Sequence, residues 1–80
     1  EEFQFNAIKM YPNPVHGDIL NIKTQKDLEV EIYDVLGKKV MLTKVNLHSN
    51  SINVRALRSG VYLVKLKSKD GILTKKLIKQ

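Results

Sequence analysis

The side chains able to do chemistry are few in this sequence, and they are scattered. His16 and His48 are isolated, with no Asp, Glu or Cys beside them at the spacing of metal ligands, so both are expected to be loop residues. Ser49, Ser51, Ser59 and Ser68 fall in turn-like segments, and none has the flanking glycines of a nucleophile elbow. Asp18, Asp27 and Asp34 could hold calcium if they met at one end of a fold, but turn and cap duty is the ordinary role of Asp in such places. Gly17, Gly37, Gly60 and Gly71 come singly, which does not make a phosphate-cradling loop. With no cysteine, neither a disulfide framework nor a thiolate metal site is available. The expectation is a non-enzymatic module with no cofactor and no metal.

The elements carrying these residues read as strands. Leu57-Arg58-Ser59-Gly60 opens on a turn, and Val61 to Leu66 then runs through β-branched, aromatic and aliphatic residues broken by one Lys. Tyr62, Val64 and Leu66 share one face, and Val61, Leu63 and Lys65 share the other. Apolar groups on both faces predict a central strand covered on both sides near its start. Leu28 to Asp34 alternates, with Leu28, Val30 and Ile32 inward and Glu29 and Glu31 outward. Ile19 to Lys23 reads as a strand with Leu20 and Ile22 inward, Ile8 to Tyr11 as a short first strand, and Ile52 and Val54 as two residues on one face. Between them, Tyr11-Pro12-Asn13-Pro14 makes a stiff extended corner that a central strand excludes.

Parity decides two hairpins. A two-residue loop at Leu36-Gly37 would set Ile32 opposite Met41 and Val30 opposite Thr43. A three-residue loop, Val35-Leu36-Gly37 with Gly37 left-handed, sets Ile32 opposite Val40, Val30 opposite Leu42 and Lys38 opposite Asp34. The second is expected, with Val40 and Leu42 inward on strand 39–45. For the last strand, a two-residue Asp70-Gly71 turn places Leu77 opposite Val64 and Lys75 opposite Leu66. A three-residue turn buries Ile72 and Ile78 but sets Lys76 opposite Val64, and the first is favoured. No segment shows a helical period. Seven short strands separated by Gly, Pro and Asn turns predict an all-β, immunoglobulin-like antiparallel sandwich.

Eighty residues allow one domain. A chain of this size buries about 60% of its unfolded surface, which sets stability on the order of 5 kcal/mol. The start at Glu1-Glu2, with no apolar leader, reads as a piece of a longer protein, with residues 1–7 the end of a linker and 8–80 the domain. The charge is asymmetric: residues 1–34 carry −4 and residues 35–80 carry +10. A basic half can mark a surface for an acidic partner. It also serves strand edges, where Lys discourages pairing between chains. The lysines are spread out and almost none is interleaved with an aromatic, so nucleic acid is not the expected partner. Without Trp, and with Tyr62 inward, a sugar-stacking surface is weakly supported.

Taken in order, Tyr11-Pro12-Asn13-Pro14, Gly17 with Leu20-Asn21-Ile22, Tyr33 to Val40, Leu57 to Lys65 and the ending Lys75-Lys76-Leu77-Ile78-Lys79-Gln80 closely resemble the type A C-terminal sorting domain of the type IX (Por) secretion system. The resemblance covers residues 8–80. Its specificity lies in the ordered set with a Lys-Lys-aliphatic ending.

The resemblance implies a secretion signal that rides at the end of an exported cargo. Such a cargo passes through the periplasm, is recognised by the outer-membrane translocon and its shuttle proteins, and ends on the cell surface or is secreted. It also implies removal by a sortase-type cysteine protease, with the cut before the Pro corner, near residues 1–8. Candidate recognition features are Pro12, Asn13 and Pro14, the hairpin tip at Gly37 and Lys38, and Lys75, Lys76, Leu77 and Lys79 of the last strand. Gly17, Gly60, Tyr62, Val64, Asp70 and Gly71 are expected to shape turns and core. An exposed last strand could add to a partner's sheet or to a second copy. The competing reading is an immunoglobulin-like accessory module binding a polysaccharide or a protein at the cell surface.

Overall fold

A computed structural model describes residues 8–80, and these form seven strands: β1 (Lys9–Tyr11), β2 (Ile19–Lys23), β3 (Leu28–Tyr33), β4 (Lys39–Val45), β5 (Ser51–Asn53), β6 (Gly60–Ser68) and β7 (Gly71–Lys79). They make two antiparallel sheets, β1-β2-β5 and β4-β3-β6-β7. The chain changes sheet between β2 and β3, and again on each side of β5, as in an immunoglobulin-like sandwich. The expected linker, residues 1–7, lies outside the described residues.

Period-2 patterning supplies the core. Leu20 and Ile22 of β2, Leu28, Val30 and Ile32 of β3, Ile52, and Tyr62, Val64 and Leu66 of β6 are buried together with Val15, Val45, Val54, Leu57 and Leu77. β6 lies inside its sheet between β3 and β7. Only one of its faces enters the core, however. Val61 and Leu63 are 42% and 47% exposed, because the second sheet covers the Tyr62 side alone.

Two registers differ from expectation. The loop Val35-Leu36-Gly37 does have three residues, with Gly37 at φ 84°, the Gly37 amide bonded to the Asp34 carbonyl and the Asp34 amide to the Lys38 carbonyl. Beyond it Tyr33 faces Lys39, but Ile32 faces Met41 and Val30 faces Thr43, so Val40 is the extra residue of a bulge. The bulge turns Met41, Thr43 and Val45 toward the core and leaves Val40 and Leu42 exposed. Without it, Lys44 would lie opposite Leu28, where Val45 now does. A buried ammonium costs more than two exposed aliphatics.

In the second hairpin the turn residues are Lys69 and Asp70, and Ser68 pairs with Gly71. Leu77 therefore faces Tyr62, Leu73 faces Leu66 and Lys75 faces Val64. Leu77 keeps its expected inward face, but the pairing slides by two residues. That slide yields two inward apolar pairs where the Asp70-Gly71 turn would give one. The turn is held by the Ser68 hydroxyl accepting from the Asp70 amide, and by a Lys26–Asp70 ion pair at 2.9 Å.

Candidate recognition surface

The Pro corner is fastened to the last strand. Both X-Pro bonds, Tyr11-Pro12 and Asn13-Pro14, are cis. Between them Asn13 projects onto the outer edge of β7, where its Nδ2 donates to the Lys76 carbonyl at 2.8 Å and its Oδ1 accepts from the Ile78 amide at 3.0 Å. Val15, fully buried, continues the contact as a parallel bridge to Lys79. Its amide donates to the Ile78 carbonyl at 2.8 Å, and its carbonyl accepts from the Gln80 amide at 2.9 Å. Sequence ends 63 residues apart thus form one surface, with Pro12, Asn13 and Pro14 exposed beside Lys76.

This arrangement changes what the last strand can offer. β7 is an edge strand, yet from Lys76 onward its outer edge is covered by residues 13–15. Backbone groups alternate sides along a strand, so those of Ile72 and Thr74 also point to this edge, in the stretch that the corner does not reach. Strand addition along the whole of β7 is therefore closed in this fold, and the open portion lies around Ile72 to Thr74. Leu77 is fully buried and is a core residue, not a surface contact. Lys75 and Lys79 are half-buried, and Lys76 is exposed.

The hairpin tip lies at the same end of the sandwich. Tyr33 pairs with Leu63, three residues from Gly60, and Gly60 pairs with Lys79. The Gly37-Lys38 tip and the Pro corner thus occupy opposite edges of that end, separated by roughly three strand spacings, about 15 Å. Asp34 caps the tip by accepting from the Leu36 and Lys38 amides at 2.9 and 3.0 Å. Asp27 and Asp34 bracket β3 from opposite ends, so the three aspartates do not converge. His16 and His48 are exposed, and Asn46 closes the loop around His48. Among the described residues no cluster of His, Asp and Glu is placed to hold a metal.

Three features go beyond the candidate residues. Glu31, expected outward, is on the outer face but buried. Its Oε1 accepts from the Tyr33 hydroxyl at 2.8 Å, and its Oε2 pairs with Lys39 at 3.3 Å and Lys67 at 3.2 Å. The Tyr33 hydrogen bond, with the two ammonium groups, holds the carboxyl down at about 2 against the opposing effect of burial. The reciprocal interactions push Tyr33 and Lys39 up. Tyr62, buried, donates from its hydroxyl to the Arg58 carbonyl at 2.7 Å, the tyrosine corner of immunoglobulin-like sandwiches. Its position just inside the sixth strand was the available clue. Third, Tyr33, Val61 and Leu63 leave an apolar hollow beside Val35 on the outer face.

Residues 9–80 match the family model described as the secretion system C-terminal sorting domain. Over 67 residues the chain is 31% identical to an endo-acting ulvan lyase of Formosa agariphila, a match covering 79% of this chain and 13% of that protein. The chain thus spans about one eighth of the length of the curated relative it matches.

Proposed function

Because the chain belongs to the type IX secretion system C-terminal sorting domains, a class of signal that sends proteins to the outer membrane and on to the surface or medium, we propose that its address is the surface where the Pro corner is fastened to β7. The observation that carries this reading is the pair of hydrogen bonds by which Asn13 donates to the Lys76 carbonyl and accepts from the Ile78 amide. A translocon serving many cargoes needs a shape that exists only in the folded domain. A corner from one end of the sequence fixed to a strand from the other is such a shape. Pro12, Pro14, Lys76 and Lys79 are the contacts, Asn13 positions them, and Gly37 with Lys38 forms a second point of contact. Residues 8–80 are the sorting domain, and residues 1–7 join it to an upstream cargo and contain the site cut by a cysteine-protease sortase. Partner strands and second copies of the domain add at Ile72 to Thr74.

The test is fusion of residues 1–80 to a periplasmic reporter in a host with type IX machinery. The reporter is expected outside the cell, and its retention in the periplasm refutes the reading. Deleting Lys75 to Gln80 removes core Leu77 and so tests folding as much as recognition. Lys76→Glu and Lys79→Glu probe recognition with the core intact, and both are expected to lower export. Mass measurement of the released reporter locates the cut, expected before Ile8.

A further inference from the structure

The outer face of the four-stranded sheet carries apolar surface that neither the core nor the corner uses. Tyr33 and Leu63 face each other across β3 and β6, and Val61 lies one step along the same face. With Val35 of the hairpin tip they line a hollow of about 510 Å³. Val35 and Leu36 are 75% and 90% exposed. An exposed apolar cluster with a concave shape is the place on a small domain to seek a contact site.

Two observations define what fits. The hollow is concave, and the Tyr33 ring on its floor is anchored by its hydroxyl's hydrogen bond to Glu31. A concavity suits a single protruding side chain better than the plane of a lipid surface. The surroundings are cationic: Lys65 and Lys39 approach the Tyr33 ring with their ammonium groups 5.1 and 5.9 Å from its centre. The nearby carboxylates are already engaged, Glu31 by two lysines and Asp34 by its own turn. Among the described residues no carboxylate pairs with Lys38 or Lys65.

We propose that this hollow is a docking site for an acidic protein segment that inserts one large apolar side chain between Tyr33, Val35, Val61 and Leu63 while its carboxylates meet Lys38, Lys39 and Lys65. The proposal rests on the sorting reading, in which the segment belongs to the export machinery, and adds a surface separate from the Pro corner.

The test uses isotope-labelled chain 1–80 and three short synthetic peptides: one Phe flanked by glutamates, the same with Ala for Phe, and the same with lysines for glutamates. Resonances of Tyr33, Val61 and Leu63 are expected to shift with the Glu-flanked Phe peptide alone, and binding is expected to weaken with salt. Leu63→Ser is expected to weaken binding about tenfold. Lys65→Glu, which leaves the apolar floor untouched, is expected to weaken it and to favour the Lys-flanked peptide. Absence of shifts, equal binding of the Ala peptide, or binding only to vesicles of anionic phospholipid overturns the proposal. In the export assay, loss of export by Leu63→Ser and Lys65→Glu supports it. Undiminished export of both overturns the hollow and leaves the sorting reading standing, whereas retention of the unsubstituted fusion overturns both.

Discussion

Asn13 donates a hydrogen bond to the backbone carbonyl of Lys76 at 2.8 Å, joining the Pro corner to the last strand. With the bond from Ile78 to its side-chain oxygen, one amide satisfies an acceptor and a donor on the outer edge of β7. The corner leaves the edge of one sheet at β1 and meets the edge of the other at β7, so these bonds close the sandwich along that side.

Asn13→Ala removes both bonds. At about 0.5–1.5 kcal/mol for each intramolecular hydrogen bond, and with both exposed, the loss is expected to be about 1–2 kcal/mol. Asn13→Asp keeps the acceptor for Ile78 but sets a carboxylate against the Lys76 carbonyl, so it is expected to be no better. Urea denaturation measures the loss, and hydrogen exchange localises it. The Ile78 amide is expected to exchange faster in Asn13→Ala, and to stay protected in Asn13→Asp where a carboxylate oxygen still accepts from it, while the Val64 amide in the middle of β6 changes only by the global loss.

The cluster on the outer face sets the acid limb of stability. The Glu31 carboxyl titrates at about 2 in the fold, against an ordinary value of 4.5. A lowered value means the folded state binds the proton less readily than the unfolded chain. The stabilisation is therefore complete above pH 4.5 and is lost as pH falls toward about 2. At the alkaline end, raised Lys39 and Tyr33 act oppositely, and their contribution fades as pH rises past their ordinary values. Glu31→Gln is expected to lose stability at neutral pH and to show a shallower decline between pH 4.5 and 2 than the unsubstituted chain. Urea midpoints across that range check both, and an unchanged acid limb assigns the decline to other carboxylates.

Gly37 stands at φ 84°, and a side chain there meets no neighbour within 4 Å. The penalty for Gly37→Ala is therefore conformational alone, about 1 kcal/mol. Gly37→Asn is expected to cost less, since Asn tolerates the left-handed region. Gly17→Ala, also in open space and without a positive φ, is expected to change stability by less than about 0.5 kcal/mol. Equal effects at both positions remove the conformational explanation.

Local alternation made most of the fold legible. Leu28, Val30 and Ile32 read inward from neighbours two residues away, and so did Leu20 with Ile22 and Ile52 with Val54. The β4 register failed because it was settled at its far end, where Val45 and not Lys44 had to enter the core. That choice inserts the bulge at Val40, while the loop itself, fixed by Gly37, read correctly. The burial of Glu31 escaped because a carboxylate beside Tyr33 gives no local sign that lysines from β4 and β6 will close over it. For the candidate surface, the sequence supplied the pieces, Pro12-Asn13-Pro14 and the lysine-rich ending, but not their contact. No spacing rule links positions 13 and 76. Leu77 was offered as a contact along with its lysine neighbours, although the favoured hairpin already set it inward, opposite Val64.

Tyr62 joins the two roles expected of β6, core and turn. Its ring packs among the buried side chains, and its hydroxyl donates to the Arg58 carbonyl at 2.7 Å, four residues back, across the turn that starts the strand. Tyr62→Phe keeps the ring and leaves the Arg58 carbonyl to find water at the domain's edge. The expected loss is about 1 kcal/mol, the net value of one such bond. Tyr62→Ala empties core volume as well and is expected to lose about 3–5 kcal/mol, comparable to the whole stability of a domain this size. If the corner fixes the path from Leu57 to Gly60, the Phe variant also exchanges faster at the amides of Gly60 and Val61 than the global loss requires. A Phe variant as stable as the parent, with those amides equally protected, reduces Tyr62 to a core side chain.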